Sequence, residues 1–311
     1  MEINYKNKYL KYKLKYLNLL YGGKKQYIKQ QDEDVIKELN KEFPYFHISE
    51  LINDDINTLE IKQQDLSYDS IDWLRIILLY NDSLTELKLE NNKSINMQKL
   101  SELIETNENL QLLEINNTDI NPEDLNYLSE ALKINSSITT LSLKNNNLNN
   151  IDSLSNALND NSTITKLNLN NNNINNIESL CDSLKYNTSI NILSLEQNNI
   201  DNIGMDQLGE LLKVNSSITE LNIGHNKISN IDNFCEALKV NSSLIKFRSQ
   251  YNSITKDSFK KFLNSLRNNK TLTSFNFYES LMFNPYDKEI IKLFADVMKQ
   301  NTTIVSYNIR S

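Results

Sequence analysis

A single phrase, N-S-S-I-T-x-L-x-L-x-x-N-x-I, recurs along this chain of 311 residues. It reads NSSITTLSLKNNNL at 135–148, NSTITKLNLNNNNI at 161–174 and NSSITELNIGHNKI at 215–228, with weaker copies to either side. Aligned on the first apolar residue, the copies start at Ile56, Leu84, Leu110, Ile138, Ile164, Ile190, Ile218, Leu244, Leu272 and Ile304, in steps of 28, 26, 28, 26, 26, 28, 26, 28 and 32 residues. A period in this range marks a solenoid: one unit cannot bury its apolar face alone, so units stack.

Each unit has two halves. Alternation such as Leu167-x-Leu169 suits a strand with one buried face. After it, Leu154 and Leu158, Leu180 and Leu184, Leu208 and Leu212, and Phe234 and Leu238 stand four apart, which sets each pair on one helix face. Strand and helix repeated in this order predict a parallel sheet with helices on its outer side. A polar residue follows each strand: Asn92, Asn146, Asn172, Asn198, Asn226 and Asn252, with Thr118 and Ser280 as variants. We expect these amides to be buried and to satisfy backbone groups of the turn and the neighbouring coil.

The run Ile164, Leu167, Leu169, Asn172, Ile174 resembles the leucine-rich repeat, L-x-x-L-x-L-x-x-N-x-L. Helical second halves such as EALKVNSSL at 236–244 are similar to the ribonuclease-inhibitor-like subclass. The resemblance covers about residues 56–311. It implies an α/β leucine-rich-repeat solenoid, a horseshoe with a concave parallel sheet, convex helices and about ten strand segments. It also implies a non-catalytic protein that binds a partner protein through its concave face. One fold hosts many functions, so ribonuclease inhibition does not follow from the subclass.

Side chains that carry chemistry elsewhere are repeat-slot occupants here. Cys181 and Cys235 share a slot with Ser129, Ser155 and Gly209, two repeats apart, which predicts small buried thiols rather than a disulfide or metal pair. Free thiols without a secretory signal point to an intracellular setting. The sequons at Asn135, Asn161, Asn187, Asn215, Asn241 and Asn301 fall at the end of each helix. Asn tolerates the left-handed geometry that ends helices, so these read as structural rather than glycan acceptors. His225 stands where other copies have Asn145, Asn171, Gln197 and Tyr251, an ordinary turn position. No HExxH, CxxC, GxSxG or P-loop pattern occurs, so no enzyme, cofactor or metal is expected. A net charge of −7 argues against nucleic-acid binding by the repeats. No apolar run reaches the roughly 18 residues of a transmembrane segment.

Residues 1–25 are different. MEINYKNKYLKYKLKYLNLLYGGKK carries +6, which leaves −13 on the rest of the chain, the difference from −7. The stretch Lys8–Leu17 resembles a KYLKYKxKYL segment at the N-termini of proteins of mimivirus-like large DNA viruses. Gly22-Gly23-Lys24 resembles a maturation-protease site, with a helix hinge as the plainer alternative. Three readings of the segment stay open: a targeting or packaging signal, weak contact with an anionic surface, or a basic extension. The first supports an alternative function, a structural or virion-associated protein addressed by its N-terminus. Residues 26–55 read as a helical N-terminal cap, with repeats over 56–311.

The expected working surface is the concave sheet, where the non-core strand positions point. Its early copies lean acidic, with Glu86, Glu90 and Glu114, and its later copies gather Lys246, Arg248, Tyr278 and Arg310. Binding energy concentrates on Arg and Tyr. The candidate partner site is therefore Lys246, Arg248, Gln250, Tyr251, Tyr278 and Arg310. The last strand, Ile304 to Ile309, is an edge, which leaves an edge-strand dimer open.

Overall fold

The computed structural model describes residues 56–64, 66, 74, 78, 81, 83–92 and 95–310. The basic segment 1–25 and the expected cap 26–55 lie outside the described residues.

The strands β1 (Thr58–Lys62), β2 (Glu86–Glu90), β3 (Leu112–Asn116), β4 (Thr140–Ser142), β5 (Lys166–Asn168), β6 (Ile192–Ser194), β7 (Glu220–Asn222), β8 (Lys246–Arg248), β9 (Ser274–Asn276) and β10 (Ser306–Asn308) form one parallel sheet in sequence order. Each is one repeat from its neighbour. Leu141 pairs with Leu167, and Leu167 with Leu193, so the repeat alignment is also the strand register. The helices from residue 95 on are α1 (Met97–Thr106), α2 (Pro122–Ile134), α3 (Asp152–Asp160), α4 (Glu178–Leu184), α5 (Asn202–Val214), α6 (Asp232–Leu238), α7 (Lys256–Ser265) and α8 (Lys288–Met298). The protein is an α/β leucine-rich-repeat solenoid of ten strand segments.

One apolar core runs the length of the stack. Inward strand residues such as Leu113, Leu141 and Leu193 are fully buried, and so are helix residues such as Leu154, Leu180 and Leu208. Toward the later coils the aliphatic core becomes aromatic. Phe234 stacks on Phe247 at 4.2 Å, and Phe262 meets Phe277 edge-on at 4.8 Å, both geometries that aromatic quadrupoles favour.

Two asparagine ladders bind coil to coil. In the first, the Asn172 amide donates to the Leu143 carbonyl of the preceding coil at 3.0 Å, and its oxygen accepts from the N–H groups of Asn146 and Leu148. Asn92, Asn146, Asn198 and Asn252 repeat the cross-coil donation while buried, whereas Asn226 does so half-buried. The second ladder uses the helix-ending residues. Asn161 donates to the carbonyls of Leu132 and Asn135, and its oxygen accepts from the N–H groups of Thr163 and Ile164. Asn187, Asn215, Asn241 and Asn269 continue it.

That corrects the reason given for these residues from sequence. Asn161 is extended, at φ −79°, and so are Asn135 and Asn215. They are kept for the amide's reach across coils, not for left-handed tolerance. The left-handed residues lie elsewhere, in the turn after each strand: Asn91, Asn117, Asn145, Asn171, Gln197, His225, Tyr251 and Glu279 all have φ between 45° and 61°.

Candidate functional site

The strand alternation places the expected site residues on the concave face in adjacent columns. Glu220, Lys246, Ser274 and Ser306 form one column, and Asn222, Arg248, Asn276 and Asn308 the next. Gln250, Tyr278 and Arg310 follow two residues beyond the second column, in the turns after their strands.

The basic pair is not a free cationic patch. Lys246 Nζ lies 2.5 Å from Glu220 Oε1, and Arg248 approaches Glu220 Oε2 at 3.6 Å. One carboxylate therefore serves two cations, and the guanidinium is exposed and loosely held. Such partly exposed pairs contribute little to stability, so their interest is positional.

Gln250 reaches across two coils. Its amide donates to Glu196 at 2.8 Å, and Asn222 donates to the other Glu196 oxygen at 2.9 Å. The span is open because the intervening residue is Gly224. A Cβ there would meet the Gln250 side chain at 2.4 Å. A glycine under a neighbouring side chain is a packing requirement in this case, not a turn requirement. Glu196, Asn222 and Gln250 thus form a hydrogen-bonded polar strip over Gly224.

Beside the strip runs an aromatic rim. His225 and Tyr251 occupy consecutive left-handed turn positions, which project their rings outward in register, and the rings stack at 4.0 Å. Tyr251 meets Tyr278 edge-on at 5.4 Å. The hydrogen bond of the Tyr278 hydroxyl to Glu279, with the negative charge beside it, pushes that phenol up to about 12. In earlier coils the same slot pairs side-chain amides, Asn117 on Asn91 and Asn171 on Asn145.

The structure brings Gln250 into the strip, sets Lys246 and Arg248 together on Glu220, and joins Tyr251 to Tyr278 in the rim. Arg310 stands exposed at the open end, one coil on from Tyr278. Sequence reasoning missed Glu196, Glu220, Gly224 and His225. The signals were present: a lone glycine in a column of polar side chains, and a slot filled by Asn, Gln, His and Tyr, of which Asn and His are enriched at positive φ.

No family model and no curated protein sequence matches the chain. Among solved structures, it is similar to internalin C2 of Listeria monocytogenes, with 23% identity over 66% of this chain and 75% of that one, at a TM-score of 0.45. It is also similar to the actin-binding site 2 of leiomodin-1, with 21% identity over 50% of this chain and 75% of that one, at a TM-score of 0.33. At these scores neither likeness bears on what the chain binds, and the fold rests on the ten-stranded sheet itself. Among the described residues no cluster of metal-binding side chains occurs, and no helix is long and apolar enough to cross a membrane.

Proposed function

We propose that the chain is a non-catalytic binding scaffold that holds a partner protein on the C-terminal half of its concave face. The observation that carries this reading is the pairing of a fixed polar strip with an aromatic rim. Glu196, Asn222 and Gln250 are locked together over Gly224. Beside them stand stacked rings and a half-engaged Arg248. Rigid aromatic and Arg groups at low ordering cost are what protein interfaces concentrate. The buried thiols support a non-catalytic reading. Desolvation pushes Cys181 up to about 12 and raises Cys235 as well, so neither is a nucleophile at neutral pH. Free, buried thiols also accord with a reducing intracellular compartment.

The test is affinity purification with the full chain as bait, quantified against Arg248→Ala/Tyr251→Ala. Truncating two anchors of a hot spot weakens binding by about 2 kcal/mol or more, roughly 30-fold. A partner retained equally by both baits sinks the concave-site reading. A partner lost only on deletion of residues 1–25 favours instead a structural protein addressed by its N-terminus.

A further inference from the structure

The outer face of the last coil is unlike any inner one. The column that holds fully buried Phe247 and Phe275 continues to Tyr307, which is 51% exposed although its ring packs on Phe275 and Phe294. Val305 is 82% exposed and Ile291 50%. Helix α8 turns a stripe of Ile291, Phe294, Ala295 and Met298 toward this face, at the three-and-four spacing of one helix side. Between α8 and β10 lies a groove of about 510 Å³. β10 pairs with β9 on one edge only, and no described residue covers the other.

We propose that this face binds a second copy of the same chain, β10 against β10, antiparallel about a two-fold axis through Tyr307. The sequence Val305-Ser306-Tyr307-Asn308-Ile309 has the same polarity read in either direction. Paired about Tyr307, it sets Ser306 against Asn308 of the second copy and Val305 against Ile309 of the second copy. Tyr307 meets its own counterpart. Like then meets like on both faces of the joined sheet, which is what a self-complementary two-fold contact requires.

The backbone agrees with that centre. Toward β9 the strand uses the N–H groups of Val305 and Ser306, both to the Thr273 carbonyl, and the carbonyls of Asn308 and Arg310, so only the central pair about Tyr307 has its backbone groups free. Backbone groups alternate in direction along a strand, so the N–H and C=O of Tyr307 point to the open edge. A residue with both groups free is the one that sits opposite its own copy in a hydrogen-bonded antiparallel pair.

Within the strand itself the usual defences of an edge are missing. Natural edges are blunted by charge, Pro or bulges, yet residues 300–309, QNTTIVSYNI, carry no charge and no proline. The same two-fold axis sets the Ile291 and Phe294 side of α8 toward its counterpart, and so covers the groove on the convex side.

Sedimentation velocity on the full chain over a concentration series tests this. The unmodified chain should dimerise. Ser306→Lys/Asn308→Lys sets like charges opposite each other twice and should raise the dimer dissociation constant by about tenfold or more. Ser306→Lys/Asn308→Asp sets opposite charges at the same two places and should restore the dimer. Ser306 is exposed and Asn308 half-buried, so circular dichroism should show both variants folded. A monomer at every concentration overturns the proposal, and so does a dimer indifferent to the double lysine. A dimer weakened equally by both variants overturns the antiparallel register. These results are independent of the concave site, which Arg248→Ala/Tyr251→Ala addresses.

Discussion

At the scale of the residue, the asparagines that follow the strands bear more than their side-chain size suggests. Asn172 makes cross-coil bonds with both its amide and its oxygen, and is 5% exposed. Removing it leaves buried N–H and C=O groups unpaired, each at about 1–3 kcal/mol. Asn172→Ala should therefore lower stability by at least ~1–3 kcal/mol, read as a fall in the urea midpoint. Asn226→Ala should cost less, because its surroundings are half-open to water that can replace the amide. Equal losses at the two positions would show that burial is not what sets the cost. These ladder positions were legible in the sequence, because the register that aligns the strands aligns them too. The register also aligned the turn slot of His225, but not its left-handed conformation: the occupants change from Asn to Gln, His, Tyr and Glu along the array, and residue type alone does not give them one φ.

The same slot gives the proposed site its form. Stacking of His225 on Tyr251 follows from two left-handed residues one coil apart, so the rim belongs to the backbone as much as to the rings. Gly224→Ala tests the strip next to it. The atoms nearest the added methyl belong to the Gln250 side chain, which can swing away. The expected result is a small change in melting temperature with loss of the Gln250–Glu196 bond, and partner binding weakened about as much as by Gln250→Ala. A Gly224→Ala bait that retains its partner fully would remove the strip from the site.

At the scale of the element, the difference between 26- and 28-residue repeats resides in the helices of the central coils, though not in the coils from Leu84 and Leu244, whose helices both have 10 residues. The 28-residue coils from Leu110 and Ile190 carry α2 and α5 of 13 residues, whereas the 26-residue coils from Ile138, Ile164 and Ile218 carry α3, α4 and α6 of 9, 7 and 7. The long helices start on side-chain caps, Asn121 and Asp201. In the short ones a buried Ile151, Ile177 or Ile231 holds the cap position, and an Asn one residue earlier accepts from the first turn. Length was readable from spacing, but which element absorbs two residues needed the caps.

The helices also explain the small-residue slot. A Cβ on Gly209 would lie 2.9 Å from the Asn233 carbonyl carbon and 3.0 Å from the Phe234 nitrogen, both backbone atoms of α6. Ser129 and Ser155 fit because their hydroxyls fold back on the carbonyls of Leu125 and Ile151. Helix propensity alone favours Gly209→Ala by roughly 1 kcal/mol. Close backbone approach opposes it, because a backbone atom cannot turn aside as a side chain can. We expect a net destabilisation of about 1–3 kcal/mol, as for other overpacked contacts. A raised melting temperature would show that α5 and α6 can separate at little cost.

At the scale of the whole molecule, the unbroken core couples coils that never touch. Cys181 and Cys235 lie in it two repeats apart, each almost wholly buried. Desolvation disfavours the thiolate and pushes Cys181 from the ordinary thiol value of 9.0 up to about 12, with Cys235 shifted in the same direction. The sign follows from proton counting. Above pH 9 the unfolded chain releases both thiol protons while the folded chain keeps them, so the unfolded state binds fewer protons and folding stability falls as pH rises. The loss should run from about pH 9 toward 12 at up to ~1.4 kcal/mol per pH unit for each cysteine. Lysines and tyrosines titrate in the same range, so the measurement is a difference: urea midpoints at pH 8 and pH 10.5 for the parent and for Cys181→Ser/Cys235→Ser. Serine already fills this slot in two other coils and does not titrate there, so the double variant should fold and lose less stability between the two pH values. Parallel alkaline losses in both proteins would mean that the thiols ionise without unfolding, and that the stack opens at those helices while the sheet stays intact.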